Sequence, residues 1–191
     1  MEEIDEVEMG EELSRARKQY EWVMNGQWES LKGFYNKDNV LEVFGQMTTK
    51  CDTVLHVAGL ARRKDVLDFL ISLIEYKDTL IVENNRGNTP LHEVAASGNL
   101  DAAKLLVEAF DHDVEGSYAS PVLVEIKNHL GETPFYRAAA FGHTKLVEYL
   151  ATKVGDDIEQ QFQRTVDRVS ILHIAVLGQH FGISLDLSLQ N

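Results

Sequence analysis

A single cysteine, Cys51, serves 191 residues. One thiol excludes an internal disulfide framework and a cysteine metal cluster, and makes a reducing, cytosolic compartment the default. Long hydrophobic runs are also missing. No stretch approaches the roughly 18 apolar residues of a membrane-spanning helix, and the longest candidate, residues 66–74, is broken by Asp68 and Ser72. The first residues are acidic, where a secretory signal needs a positive start and an apolar run. Basic residues are outnumbered, 18 Lys and Arg against 31 Asp and Glu, giving a net charge of −13. Glu2, Glu3, Asp5, Glu6, Glu8, Glu11 and Glu12 carry seven of the negatives, so −6 remains for the rest. A field of that sign repels phosphate backbones and anionic membrane surfaces, which argues against nucleic-acid binding. The basic run Arg62-Arg63-Lys64 reads as a solvated turn between helices.

Catalytic signatures are missing too. There is no Gly-x-Ser-x-Gly, no phosphate-binding glycine loop and no His-Glu-x-x-His. Cys51 lies beside Lys50, which favours a thiolate, yet a lone thiol in a turn reads as a residue without a role. Asp156-Asp157 reads as a solvated helix end. His112, His129, His143 and His180 fall in loops or caps with no carboxylate or cysteine at ligand spacing. The expectation is a non-enzymatic chain with no cofactor and no metal.

What is present is a repeat. Residues 84–92 read Asn-Asn-Arg-Gly-Asn-Thr-Pro-Leu-His, followed by Ala95-Ala96-Ser97-Gly98 and the apolar run Leu105-Leu106-Val107. Gly87 suits a turn with positive φ. Thr89 suits an N-cap and Pro90 the first helical position. Gly98 ends a short helix and a second begins at Leu100. One turn with two short antiparallel helices cannot bury its apolar face alone and calls for copies. Thr133-Pro134-Phe135-Tyr136-Arg137-Ala138-Ala139-Ala140-Phe141-Gly142 repeats the pattern, with Gly131 and Glu132 before it. Thr53-Val54-Leu55-His56-Val57-Ala58 and Ser170-Ile171-Leu172-His173-Ile174-Ala175 are weaker copies, and Trp22-Val23-Met24-Asn25-Gly26 ends a degenerate one. Arg17, Thr53, Thr89, Thr133 and Ser170 stand 36, 36, 44 and 37 residues apart.

The Thr-Pro-Leu-His-x-Ala phrase and this period resemble the ankyrin repeat, across about residues 14–180. The long repeats, the first unit built around Asn25-Gly26-Gln27-Trp28-Glu29 and the Leu-His-x-Ala phrases resemble, more narrowly, plant ankyrin proteins of the accelerated-cell-death and salt-tolerance type. Members of that group usually carry transmembrane helices after the repeats, a region this chain lacks. The resemblance implies an all-α ankyrin solenoid of helix pairs linked by β-turns.

The expected organisation is an acidic disordered tail at 1–12 and an ankyrin domain at 13–180. Its units fall at about 14–46, 48–78, 84–111, 128–153 and an incomplete 165–180. Residues 181–191, where apolar residues alternate from Ile183, form an irregular tail. The first unit caps the array, with Arg15, Arg17, Lys18 and Gln19 on its water-facing side. In the second unit Cys51 and Arg62 stand where Gly87 and Gly98 stand in the third, so looser turn geometry is expected. Residues 111–126 read as a long loop on one side of the solenoid.

His56, His92 and His173 recur at one place per unit, with Tyr136 there in the fourth. Such a residue is architectural, and hydrogen bonding to Thr53, Thr89 or Ser170 is the expected job. Gly87, Gly98, Gly131, Gly142, Pro90, Pro134 and Thr133 are structural in the same sense. The resemblance implies that a protein partner binds along the concave face, at turn tips and the ends of first helices. By position these are Asn85, Arg86, Asn88, His129, Leu130 and Glu132, with Ser97 and the apolar Met24, Leu60, Phe141 and Leu177. The apolar four are either a partly exposed anchor stripe or packed against the next turn.

The functional expectation is a protein-interaction module. It reads as the cytosolic region or a shortened isoform of a plant signalling or stress-response membrane protein. It is cytoplasmic, or at the cytosolic face of a membrane in a longer form. Two alternatives stand beside it: self-association through an exposed C-terminal edge, and a metal protein built around residues 111–126.

Overall fold

The structure is a computed structural model describing residues 2–74, 80–111, 123–154, 163–164, 166–171, 173–174 and 178, with backbone alone for 2–9 and 111. Eight α-helices are described: α1 (Glu2–Asn25), α2 (Trp28–Phe34), α3 (Val54–Leu60), α4 (Lys64–Leu73), α5 (Pro90–Ser97), α6 (Leu100–Asp111), α7 (Pro134–Ala140) and α8 (Thr144–Ala151). They form four consecutive antiparallel pairs. The first helices pack in the series α1, α3, α5, α7, and the second helices α4, α6 and α8 pack in a parallel series. An edge-on contact between the Trp28 and Phe69 rings, with centroids 5.4 Å apart, brings α2 onto α4. The fold is the all-α helix-pair solenoid expected.

Local sequence explains each pair. Before α5, Asn84 Oδ1 accepts from the backbone N–H of Arg86 at 2.9 Å and of Asn88 at 3.1 Å, closing the turn. Asn128 Oδ1 does the same for Leu130 and Glu132, both at 3.0 Å. Thr89 is extended at the N-cap, Pro90 opens the helix where its missing N–H costs nothing, and Gly98 closes it in the left-handed region at φ 73°. Thr133 repeats the cap, its hydroxyl accepting from the Tyr136 N–H at 3.2 Å, and Pro134 follows.

The core repeats with the same period. Leu55, Leu91 and Phe135 hold one place in successive first helices and are fully buried. In the second helices Val66, Ala102 and Leu146 hold one buried place, and Leu70, Leu106 and Leu150 hold the next, four residues on. Spacing by four keeps each pair on one helix face. Each fully buried leucine contributes about 1.5–3 kcal/mol of transfer free energy, so this apolar layer outweighs any single polar contact. Where α3 meets α5 the backbones are close: a Cβ on Gly59 would stand 2.8 Å from Val94 Cγ2.

Two expectations are corrected, and the stretch expected as an acidic tail enters a helix. Helix α1 begins at Glu2. Glu, Met and Leu lose little rotamer freedom in a helix, and carboxylates near a helix N-terminus meet the positive end of its dipole. Gln19 does not face water: it is 4% exposed, and its Oε1 accepts from the Tyr35 hydroxyl at 3.0 Å. Pairing α1 with α2 makes that contact across 16 residues of sequence. The second unit's turns are not loose. Cys51 and Arg62 take φ of 60°, as Gly87 and Gly98 take 71° and 73°. Thr48 Oγ1 replaces the asparagine, accepting from the N–H of Lys50 and Asp52 at 3.1 and 3.2 Å. Backbone bonds inside each turn hold the conformation, Cys51 N–H to Thr48 O at 2.9 Å and Arg62 N–H to Gly59 O at 3.2 Å, at a steric cost of about 1–2 kcal/mol for a side-chain-bearing residue.

A fifth turn begins beyond α8. Arg164 N–H donates to Val169 O at 3.0 Å, Gln163 and Ser170 form an isolated antiparallel bridge, and Arg168 has φ 58°. Leu177, most of the 111–126 insertion, His112, His180, Asp156-Asp157 and the 181–191 tail lie outside the described residues, and so does the C-terminal edge invoked for self-association. Among the described residues no helix is long and apolar enough to cross a membrane.

Candidate protein-interaction surface

The recurring histidines do more than cap. His56 Nδ1 accepts from the Thr53 N–H at 3.2 Å and lies 2.9 Å from the Thr53 hydroxyl. Since Nδ1 accepts, Nε2 carries the proton, and it donates to the carbonyl of Asn88 in the next unit at 2.7 Å. His92 repeats this, with Thr89 N–H at 3.1 Å and Glu132 O at 3.0 Å. Tyr136 performs the outer half of the job, its hydroxyl donating to Val169 O at 3.1 Å. Burial, outweighing the help from these carbonyls, lowers the His56 pKa and holds His92 down at about 3. In the fifth unit the Ser170 hydroxyl meets His173 Nδ1, and His173 itself is exposed. Each imidazole is thus committed to its own cap. Among the described residues no three His, Cys, Asp or Glu side chains gather as metal ligands would.

A second, polar row lies beneath the turns. Asn84 Nδ2 donates to Asp52 Oδ1 at 2.7 Å, and Asn88 Nδ2 donates to Glu93 Oε1 at 2.7 Å. Asn128 Nδ2 donates to Asn88 Oδ1 at 2.8 Å and to Glu132 Oε2 at 3.1 Å. Arg164 Nη1 reaches Glu132 Oε1 at 3.2 Å. Arg137, at the place Glu93 holds one unit earlier, lies 3.8 Å from Glu93 Oε2 and 3.5 Å from Glu132 Oε2. The row crosses four successive turns. It removes two residues from the expected surface: Asn88 is 0% exposed and Glu132 8%. Their side chains turn inward because buried backbone and carboxylate groups must find partners. The repeated Asn four residues before Asn88 and Glu132 was the sequence signal for this row.

The other expected positions remain outside. Asn85, Arg86, His129 and Leu130 are exposed turn tips. Successive tips are tied by backbone bonds, Asn85 N–H to Lys50 O at 2.9 Å and His129 N–H to Arg86 O at 3.0 Å. Ser97 is half-buried, its hydroxyl donating to Val94 O at 2.9 Å. Met24, Leu60 and Phe141 are 47%, 56% and 52% exposed, so of the two alternatives these three side chains follow the exposed one. The Arg137 guanidinium stands 5.6 Å from the Phe141 ring centroid. Across the first three units the surface dips into a groove of about 240 Å³, lined by the apolar Tyr20, Met24 and Leu60 and by the turn residues Lys50 and Arg86 among others.

A profile of ankyrin repeats, three copies in tandem, matches residues 23–118. A comparison with curated proteins gives no match. The matched stretch covers the α2 to α6 part of the solenoid, and the α7–α8 pair beyond it repeats the same asparagine-closed turn and Thr-Pro cap. With a solenoid of helix pairs, interlocked caps and a profile match over half its length, the chain belongs to the ankyrin-repeat family, whose repeats are generic protein-interaction modules.

Proposed function

We propose that this chain binds a protein partner along the face formed by its turn tips and first-helix ends. Met24, Leu60 and Phe141 supply apolar anchors, and Asn85, Arg86, His129 and Leu130 supply contacts at the tips. One observation carries the reading: three large apolar side chains stay about half exposed at helix ends, Met24 and Leu60 at the place that Ala96 and Ala140 hold in later units, and Phe141 at the place of Ala61 and Ser97. Exposed apolar side chains rimmed by polar neighbours mark interaction sites. The likeness to plant ankyrin proteins of the accelerated-cell-death and salt-tolerance type supports placing that binding in stress-response signalling. The same likeness supports a cytoplasmic setting, at the cytosolic side of a membrane for any longer form.

The test compares wild type with a Leu60→Ser, Phe141→Ser double variant. Proteins retained from a plant extract by wild type and lost from the variant, with an unchanged melting temperature, carry the reading. A melting temperature lowered by many degrees makes these side chains core and sinks it.

A further inference from the structure

We infer that the groove across the first three units takes a peptide segment bearing a large apolar side chain with carboxylates close by in sequence. The inference rests on the interaction face proposed above and names the class of partner at one part of it. Size is the first argument. At about 240 Å³ the groove falls below the roughly 300–1,000 Å³ of small-molecule sites. It is a socket for one or two side chains. Its apolar side is Tyr20, Met24 and Leu60, 39%, 47% and 56% exposed, on two different units.

Charge is the second argument. The chain carries −13 overall, and two cations, Lys50 and Arg86, and two acids, Asp52 and Glu93, line the groove; the cations are exposed, whereas Asp52 is half-buried and Glu93 buried. Lys50 and Arg86 hold the same place in neighbouring turns, directly before Cys51 and Gly87, and a backbone hydrogen bond ties the two turns at 2.9 Å. Lys50 is exposed and has no ion pair among the described residues. Arg86 is 49% exposed at its side chain, with Glu93 at a distant 3.7 Å. Two carboxylates also line the groove, and both are occupied by protein donors. Asp52 accepts from the Thr48 hydroxyl at 2.8 Å and the Asn84 amide at 2.7 Å. Glu93 is 3% exposed and accepts from Asn88 at 2.7 Å. The cations therefore keep donors facing solvent, while the carboxylates, still charged, are turned to protein donors. A partner carboxylate can reach the cations, and a partner without one leaves them unpaired.

The test is an unbiased selection of random 12-residue peptides displayed on phage against the full chain. Selected sequences should pair Leu, Ile, Phe or Trp with Asp or Glu within a few residues. A synthetic selected peptide, followed by fluorescence polarisation, should bind a Lys50→Gln, Arg86→Gln variant about tenfold more weakly and lose affinity as salt rises. A Met24→Ser, Leu60→Ser variant should lose binding, and thermal melts check that both variants fold. Peptides that need Met24 and Leu60 but show no acidic enrichment overturn the acidic class and leave the face intact. Peptides indifferent to all four positions overturn the groove and the face together. A selection that enriches nothing overturns the groove as a peptide site, leaving the wider face to the extract experiment.

Discussion

His92 and Glu132 are 40 residues apart in sequence, and the imidazole Nε2 of one lies 3.0 Å from the backbone carbonyl of the other. That bond couples the cap of the third unit to the turn of the fourth. His56 and Asn88 repeat it one unit earlier at 2.7 Å. The second and third units therefore each fasten the one after through a neutral imidazole.

Stability should fall in mild acid. The native pKa of His92 is about 3 and its ordinary value 6.5, so between those values the unfolded chain binds a proton that the folded chain refuses. The contribution is complete above about pH 6.5 and declines by at most about 1.4 kcal/mol per pH unit down to about 3. His56, also lowered, acts in the same direction. Urea unfolding at pH 7, 6 and 5 measures it, and equal stability at all three contradicts it.

Replacing Glu132 by alanine should be costly. The change takes one acceptor each from Asn128, Arg137 and Arg164, which keep Asn88, Glu93 and Asp167 respectively. Removing one partner from such a buried set costs about 3 kcal/mol. Glu132→Gln keeps an acceptor and should cost less. Chemical denaturation of the two variants gives the comparison, and equal stability of Glu132→Ala and wild type would mean that the row carries no energy.

Arg62→Gly should stabilise the protein. The residue sits at φ 60°, where a glycine meets no steric penalty. Relief of about 1–2 kcal/mol, less about 0.5–1 kcal/mol of extra unfolded-state entropy, leaves a gain of up to about 1.5 kcal/mol. The reverse change, Gly98→Ala, should destabilise, because a Cβ there stands 2.4 Å from His143 Nδ1 at φ 73°. A thermal melt separates the two signs, and a destabilised Arg62→Gly contradicts the strain.

Leu106→Ala should cost about 2–5 kcal/mol as a fully buried leucine. Leu60→Ser, at a side chain 56% exposed, should change stability by less than about 0.5 kcal/mol. Similar losses for both would mean that the exposed row is part of the core.

Most of the architecture was legible in the chain. Thr89-Pro90 and Thr133-Pro134 marked helix starts, Gly87, Gly98, Gly131 and Gly142 marked the turns, and the recurring histidine announced a repeated polar bond. These are local signals, set within a few residues by capping and backbone sterics. The exposed tips Asn85, Arg86, His129 and Leu130 were legible by the same spacing. Asn88 and Glu132 were misread because their partners, Asn128 and Arg164, lie 40 and 32 residues away. Gln19 was misread for the same reason, its partner Tyr35 arriving through the α1–α2 hairpin.

The sequence by itself determined the helix pairs, their caps and their period, because each depends on neighbours along the chain. Only the tertiary structure decided which polar side chains turn inward, which apolar ones stay in water, and that Cys51 and Arg62 adopt a glycine's conformation. The inward polar side chains depend on partners supplied across the stack, and a repeat written in one dimension does not state its neighbours there.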